Sequence, residues 1–183
     1  MVNLKTEIAQ QRPFTSPQEE ALLNIMRTAD CLHREFHRRS REFGVTSTQY
    51  NVLRILRGSN PDGLTCGEIG DRMITADPDI TRLLKRLSTM GLIRQKRDTT
   101  DRRVVRTFIS PKGLELLEQM DPVVAQTPVE LLSSVTPSEL EQLIVLLEKA
   151  RAGCADGSSQ PTCDGSDSVS CDGSHVAATG SQG

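Results

Sequence analysis

Apolar residues along the chain keep the i, i+3, i+4, i+7 spacing of a half-buried helix in several separate stretches. Ala21, Leu22, Ile25, Met26, Ala29, Leu32 and Phe36 form the longest stripe. Val52, Leu53, Ile55 and Leu56 form a second, and Ile69 with Met73 a short third. Ile80, Leu83, Leu84 and Leu87 form a fourth, and Leu140, Leu143, Ile144, Leu146 and Leu147 the last. Helix-opening signals precede them. Ser16-Pro17-Gln18-Glu19, Thr46-Ser47-Thr48-Gln49, Thr65-Cys66-Gly67-Glu68 and Thr136-Pro137-Ser138-Glu139 are capping boxes, able to satisfy two orphan N–H groups each. Asp77-Pro78 and Ser110-Pro111 pair an N-cap side chain with proline at the first helical position. The pattern predicts six helices. The first should run to about Phe43-Gly44, and Gly91 should close the fourth as a C′ residue.

Between the fourth and fifth helices the period changes. Leu92 to Arg97 and Val104 to Ile109 read as strands around the polar turn Asp98-Thr99-Thr100-Asp101-Arg102-Arg103. The third and fourth helices, separated by Ile74-Thr75-Ala76, make a helix-turn-helix whose second helix suits a major groove. Opposite its apolar stripe that helix carries Thr81, Arg82, Lys85 and Thr89, with Arg86 at the border. The hairpin then lies over the adjacent minor groove, where arginines read width and potential. The expected class is mainly α: a winged helix-turn-helix with one β-hairpin wing.

Charge sharpens this picture. From Arg72 to Lys112 there are eleven Lys/Arg against four Asp/Glu, a local +7 in a chain of net charge −2. A solvated face explains any single charged helix. A one-signed cluster shared by helix and hairpin is what a duplex backbone attracts.

The chain has 183 residues, enough for one domain with appendages. No apolar run approaches membrane-spanning length, and MVNLKTEIAQQRPF has no apolar core of a signal peptide. Five cysteines without a tight framework suit a reducing cytosol, so a cytoplasmic protein is expected. No Gly-rich phosphate loop, nucleophile elbow or catalytic carboxylate or His cluster is present, which argues against an enzyme.

Asp98-Thr99-Thr100-Asp101-Arg102-Arg103, followed by Phe108-Ile109-Ser110-Pro111-Lys112-Gly113, resembles the signature of MarR-type (multiple antibiotic resistance) regulators. Those show an acidic turn, a D-x-R wing and a closing L-T-x-x-G, for which Ile109 and Ser110 are conservative departures. Ile80-Thr81-Arg82-Leu83-Leu84 and Leu87 to Ile93 look like that family's recognition helix. The resemblance covers roughly residues 16–152, with a winged-helix core at 45–110. It implies a homodimer interlocked by long N- and C-terminal helices, reading pseudo-palindromic double-stranded DNA as a transcriptional regulator, by family habit a repressor. A module that binds protein instead of DNA is the alternative; uncharged positions on the fourth helix and a neutral wing would favour it.

By position, Thr81, Arg82, Lys85, Arg86 and Thr89 are candidates for the major groove. One of Arg102 and Arg103 is expected in the minor groove, the other pairing with Asp98 or Asp101 to hold the turn. Ser47, Thr48 and Thr65 either donate to phosphates at helix N-termini or simply cap. The resemblance also implies release by a small aromatic or organic-acid effector, or by cysteine oxidation. Cys66, in a first helical turn where the macrodipole favours thiolate, is the candidate switch, with Cys31 second; packing as small buried residues is the alternative for both. His33 and His37 share a helical face but lack a third ligand nearby, and Tyr50 lines a pocket or caps the core.

Residues 1–15 give no strong pattern and read as a loose arm. Gly153 to Gly183, rich in Ser, Gly and Asp with no Lys or Arg, reads as a disordered tail. Within it Cys163-Asp164-Gly165-Ser166 recurs as Cys171-Asp172-Gly173-Ser174 before His175. That string resembles the core of CDGSH-type iron–sulfur proteins, and Cys154, Cys163, Cys171 and His175 match their ligand tally. The close C-x-C pair and the strand framework are missing, so no cofactor is expected.

Overall fold

The computed structural model describes residues 3–77, 79–98 and 101–154. Among these described residues seven helices and two strands follow one another as α1 Leu4–Glu7, α2 Pro17–Glu42, α3 Ser47–Arg57, α4 Cys66–Asp71, α5 Ile80–Thr89, β1 Ile93–Arg97, β2 Val105–Ile109, α6 Pro111–Leu131 and α7 Pro137–Ala152. The class is the expected one, mainly helical with one antiparallel hairpin.

Most caps are built as their residues dictate. Thr46 with Gln49, Thr65 with Glu68 and Thr136 with Glu139 form complete capping boxes. Ser16 does accept from the Glu19 N–H, but the Glu19 carboxylate turns to Thr15 N and Oγ1, so that box is half-formed. The loose arm is a second departure. Asn3 caps the short α1, Leu4 is buried, and Glu7 reaches Arg27 at 3.5 Å.

The core gathers around α3. Tyr50, Val52, Leu53, Ile55 and Leu56 pack with Ile69 of α4, the apolar face of α5, Ile93 and Ile109 of the hairpin, and Leu117 and Met120 of α6. Fully burying each such side chain contributes about 1.5–3 kcal/mol, so this cluster sets the angle of α5.

In the hairpin Ile93 faces Ile109 and Arg97 faces Val105. Leu64 adds a short third bridge to Thr107, through N–H···O bonds of 2.9 and 2.7 Å. Gly63 sits at φ +66° under the Phe108 ring, where a Cβ would come within 2.6 Å of Cε1. Gly91 closes α5 at φ +74°.

The remaining helices form a lobe whose apolar surface the described residues leave uncovered. α7 has no buried residue, and Ile144, Leu146 and Val129 stay exposed, as do Leu22 and Met26 of α2. Arg39 links α2 to α6, meeting Glu35 at 2.8 Å, Glu130 at 2.8 Å and Thr127 Oγ1 at 3.1 Å. Arg57 of α3 pairs with Asp121 at 2.8 Å, which joins lobe to core. Among the described residues no helix is long and apolar enough to cross a membrane.

Candidate nucleic-acid interface

The cap of α5 is shifted from the expected site. Asp79, not Asp77, accepts from Arg82 N–H at 3.0 Å, and Asp77 accepts from Asp79 N–H at 2.9 Å. The side chain that can reach the third helical N–H decides the cap. Pro78 lies outside the described residues. Ile80, Leu83, Leu84 and Leu87 face the core, which leaves Thr81, Arg82, Lys85, Arg86 and Thr89 outward. These five edge an open groove shared with Gln49 and Met90. Thr89 donates its hydroxyl to Lys85 carbonyl at 3.0 Å, leaving its oxygen as an acceptor only.

The wing is pinned by an arginine that the sequence reading passed over. Arg106 Nε donates to Asp98 Oδ2 at 2.9 Å and its Nη1 to the Gly63 carbonyl at 3.5 Å. Asp98 in turn holds the Arg106 guanidinium more firmly protonated. Asp101 holds the turn through backbone, accepting from Arg103 N–H at 2.9 Å. The expected partnership of Arg102 or Arg103 with these acids is therefore corrected: among the described residues neither side chain forms an ion pair, and both are exposed. The register could have shown it, since Arg97 faces Val105 and so sets Asp98 diagonally across from Arg106. Arg94 adds a contact also unforeseen, its guanidinium 5.8 Å from the Phe108 ring centroid.

Six of the described cations are paired with acids, and the candidate contact residues are not among them. Arg27, Arg34, Arg38, Arg39 and Arg57 are neutralised by acids, as is Arg106. Arg82, Lys85 and Arg86 on α5, and Arg94, Lys96, Arg97, Arg102 and Arg103 on the wing, are in no ion pair among the described residues. Lys5, Arg12, Arg41, Arg54, Arg72, Lys112, Lys149 and Arg151 are likewise in no ion pair among the described residues, but the eight cations of one helix face and the adjoining hairpin form the dense cluster, the electrostatic footprint of a polyanion site.

The family model described as MarR family matches residues 43–104, the stretch from the end of α2 through the wing turn. The HTH-type transcriptional regulator YkoM of Bacillus subtilis (strain 168), itself uncharacterized, is 33% identical over 113 residues, 62% of this chain and 72% of YkoM. The chain belongs to the MarR family. A MarR transcription factor from Planctomyces limnophilus, solved as a crystal structure, is 37% identical with a TM-score of 0.58, covering 74% of this chain and 98% of that one. A mutant MarR from E.coli complexed with operator DNA shares the fold at 23% identity and TM-score 0.65, covering 81% and 99%.

Several candidates on this MarR-family chain fall away from the interface. Ser47 is 7% exposed and turned inward to His37 Nδ1, 3.3 Å from its Oγ, so burial removes it from phosphate contact. Thr65 spends its hydroxyl within its own capping box, donating to Glu68 at 2.9 Å. Thr48 is half-buried. Tyr50 belongs to the core, edge-on to Phe36 with ring centroids 5.4 Å apart, and burial pushes its phenol pKa up. Cys31 is exposed on α2 rather than packed, because the apolar stripe of α2 leaves it outside the chain's own core. Cys66 is half-buried against the core in the first turn of α4. His33 and His37 stack with centroids 6.3 Å apart, and no metal-binding group of three or more exists among the described residues. Cys154 is exposed; Cys163, Cys171 and His175 lie outside the described residues.

Proposed function

We propose that this MarR-family chain is a sequence-specific DNA-binding transcriptional regulator, a cytoplasmic homodimer acting as a repressor rather than an enzyme. One observation carries the reading: eight cations in no ion pair among the described residues, Arg82, Lys85, Arg86, Arg94, Lys96, Arg97, Arg102 and Arg103, crowd onto α5 and the adjoining wing. α5 enters the major groove, where Thr81 and Arg82 meet base edges and Lys85, Arg86 and Thr89 meet bases or phosphates. Arg102 and Arg103 take the wing tip into the minor groove. Exposed Ile144 and Leu146 on α7 and Leu22 and Met26 on α2 supply an apolar face for a second copy, and two copies set two reading heads on a pseudo-palindrome. Residues 16–152 carry these tasks, and residues 153–183 are dispensable for them. Release by a small aromatic or organic acid, or by oxidation at Cys66 or Cys31, completes the proposal as the family's habit.

A gel-shift titration against the DNA upstream of its own gene, with random competitor at two salt concentrations, tests it. The expected result is a discrete complex that survives competitor and weakens with salt. Equal binding to competitor, or none at either salt, contradicts sequence-specific regulation.

A further inference from the structure

Two buried amides of α3 point at sulfur. Gln49 Nε2 lies 3.7 Å from Met90 Sδ, and Asn51 Nδ2 lies 3.5 Å from Met73 Sδ. In both, the amide oxygen is already engaged. Gln49 Oε1 accepts from Thr46 N–H at 2.9 Å in the capping box, and Asn51 Oδ1 accepts from Arg54 Nη2 at 3.2 Å. The NH₂ group is therefore the one facing each thioether, and a thioether is a weak acceptor. With Gln49 and Asn51 8% and 7% exposed, water does little to compensate. A sulfoxide oxygen in the same place is a far better acceptor. The two methionines bracket the recognition helix, Met73 just after α4 and Met90 as the C-cap of α5. Met90 is half-buried and edges the open groove beside Lys85 and Arg86, so a solvent oxidant reaches it.

We propose that Met90 is an oxidation site through which a peroxide weakens DNA binding, with Gln49 receiving the sulfoxide. The sulfur lone pair attacks the terminal peroxide oxygen and the O–O bond breaks. Sulfur gains that oxygen and is oxidised by two electrons. The peroxide is reduced to its alcohol (water, for hydrogen peroxide), the proton moving to the departing oxygen. The new S–O dipole sets an acceptor on the groove wall and draws Lys85 or Arg86 away from a phosphate. Losing one charge-assisted hydrogen bond lowers affinity by about tenfold. This last effect rests on the DNA reading above; the site itself does not.

Met26, 60% exposed, and Met120, 1% exposed, are internal references. The full chain is treated with graded hydrogen peroxide, then with dithiothreitol, which returns sulfenic acids and disulfides to thiols but leaves sulfoxides. Peptide mass spectrometry locates each added oxygen, and fluorescence anisotropy with the upstream DNA follows affinity in the same samples. Reductases of the two epimer specificities report how each sulfoxide was made. Met90 should gain oxygen while Met120 does not, in one predominant epimer, whereas Met26 gives both. Affinity should fall with Met90 occupancy and return on reduction. Gln49→Glu keeps a capping side chain but presents no donor, so its Met90 should give both epimers. Met90→Leu, whatever its starting affinity, should keep it after peroxide. An affinity loss that follows Met26, a Met90→Leu chain still sensitive to peroxide, or an unbiased epimer ratio at Met90 overturns the proposal. A chain that binds no DNA before peroxide contradicts the DNA reading instead, and the epimer ratio then decides the site alone.

Discussion

Arg106 and Asp98 meet at 2.9 Å where the two strands enter the wing turn, and the same guanidinium reaches the Gly63 carbonyl on the loop before α4. The wing is thus tied to the winged-helix core by an arginine that is already neutralised. Among the described residues the wing-tip arginines Arg102 and Arg103 are in no ion pair. Positioning of the wing and the proposed reading of DNA thus fall to different side chains.

Arg106→Gln should therefore lower DNA affinity several-fold while leaving the salt slope near its wild-type value. A neutralised cation releases few counterions, so its loss acts through wing geometry. Anisotropy titrations at several salt concentrations check this. A slope as shallow as that of a wing-tip variant would place Arg106 on the phosphates instead.

Thr81→Ala and Arg82→Ala should change which operator bases are preferred, not only how tightly DNA binds. A good bidentate base contact discriminates by about 1–3 kcal/mol. Selection from a randomised operator pool gives the measurement. Equal losses on every sequence would demote both to backbone contacts.

Ile144 and Leu146 are 56% and 62% exposed on a helix that buries none of its residues within the described part of the chain. Changing both to Asp should convert the dimer to monomer in sedimentation, with the winged helix still folded by circular dichroism. Operator affinity should fall with it, because two linked heads gain from effective concentration. A double variant that remains dimeric would move the interface elsewhere.

Hydrogen bonds from Arg38 and then Arg39 hold Glu35 at a pKa of about 2, below the ordinary 4.5. A depressed carboxylate pKa stabilises the fold above the unfolded-state value, and that contribution is lost as pH falls from about 4.5 towards about 2. The capping carboxylates Glu68 and Glu139 shift the same way through their Thr65 and Thr136 hydrogen bonds. Glu35→Gln should lower Tm at pH 7 and narrow the gap to wild type as the solution is acidified. A gap that does not change with pH would show that Glu35 acts only by packing.

Local signals were legible in the residues and tertiary ones were not. The inward face of α5, its glycine closure and the three full capping boxes depend on neighbours within one or two turns, so periodicity and cap chemistry reveal them. Asp77 and Asp79 are both able caps two residues apart, and only helix geometry chooses between them. The Asp98–Arg106 pair needs the hairpin register. Ser47 turning to His37 and Cys31 facing outward depend on how α2 lies on α3, which a single-chain pattern does not contain.

The central claim is that the unneutralised cations of α5 and the wing face the DNA backbone. Its most direct test is the salt dependence of operator binding for the wild type and for Arg102→Ala with Arg103→Ala. Each phosphate contact contributes about 0.9 to the slope of log affinity against log salt. The slope of the double variant should be shallower by about one to two contacts. A weaker complex with an unchanged slope would contradict it, because the wing tip would then lie off the DNA.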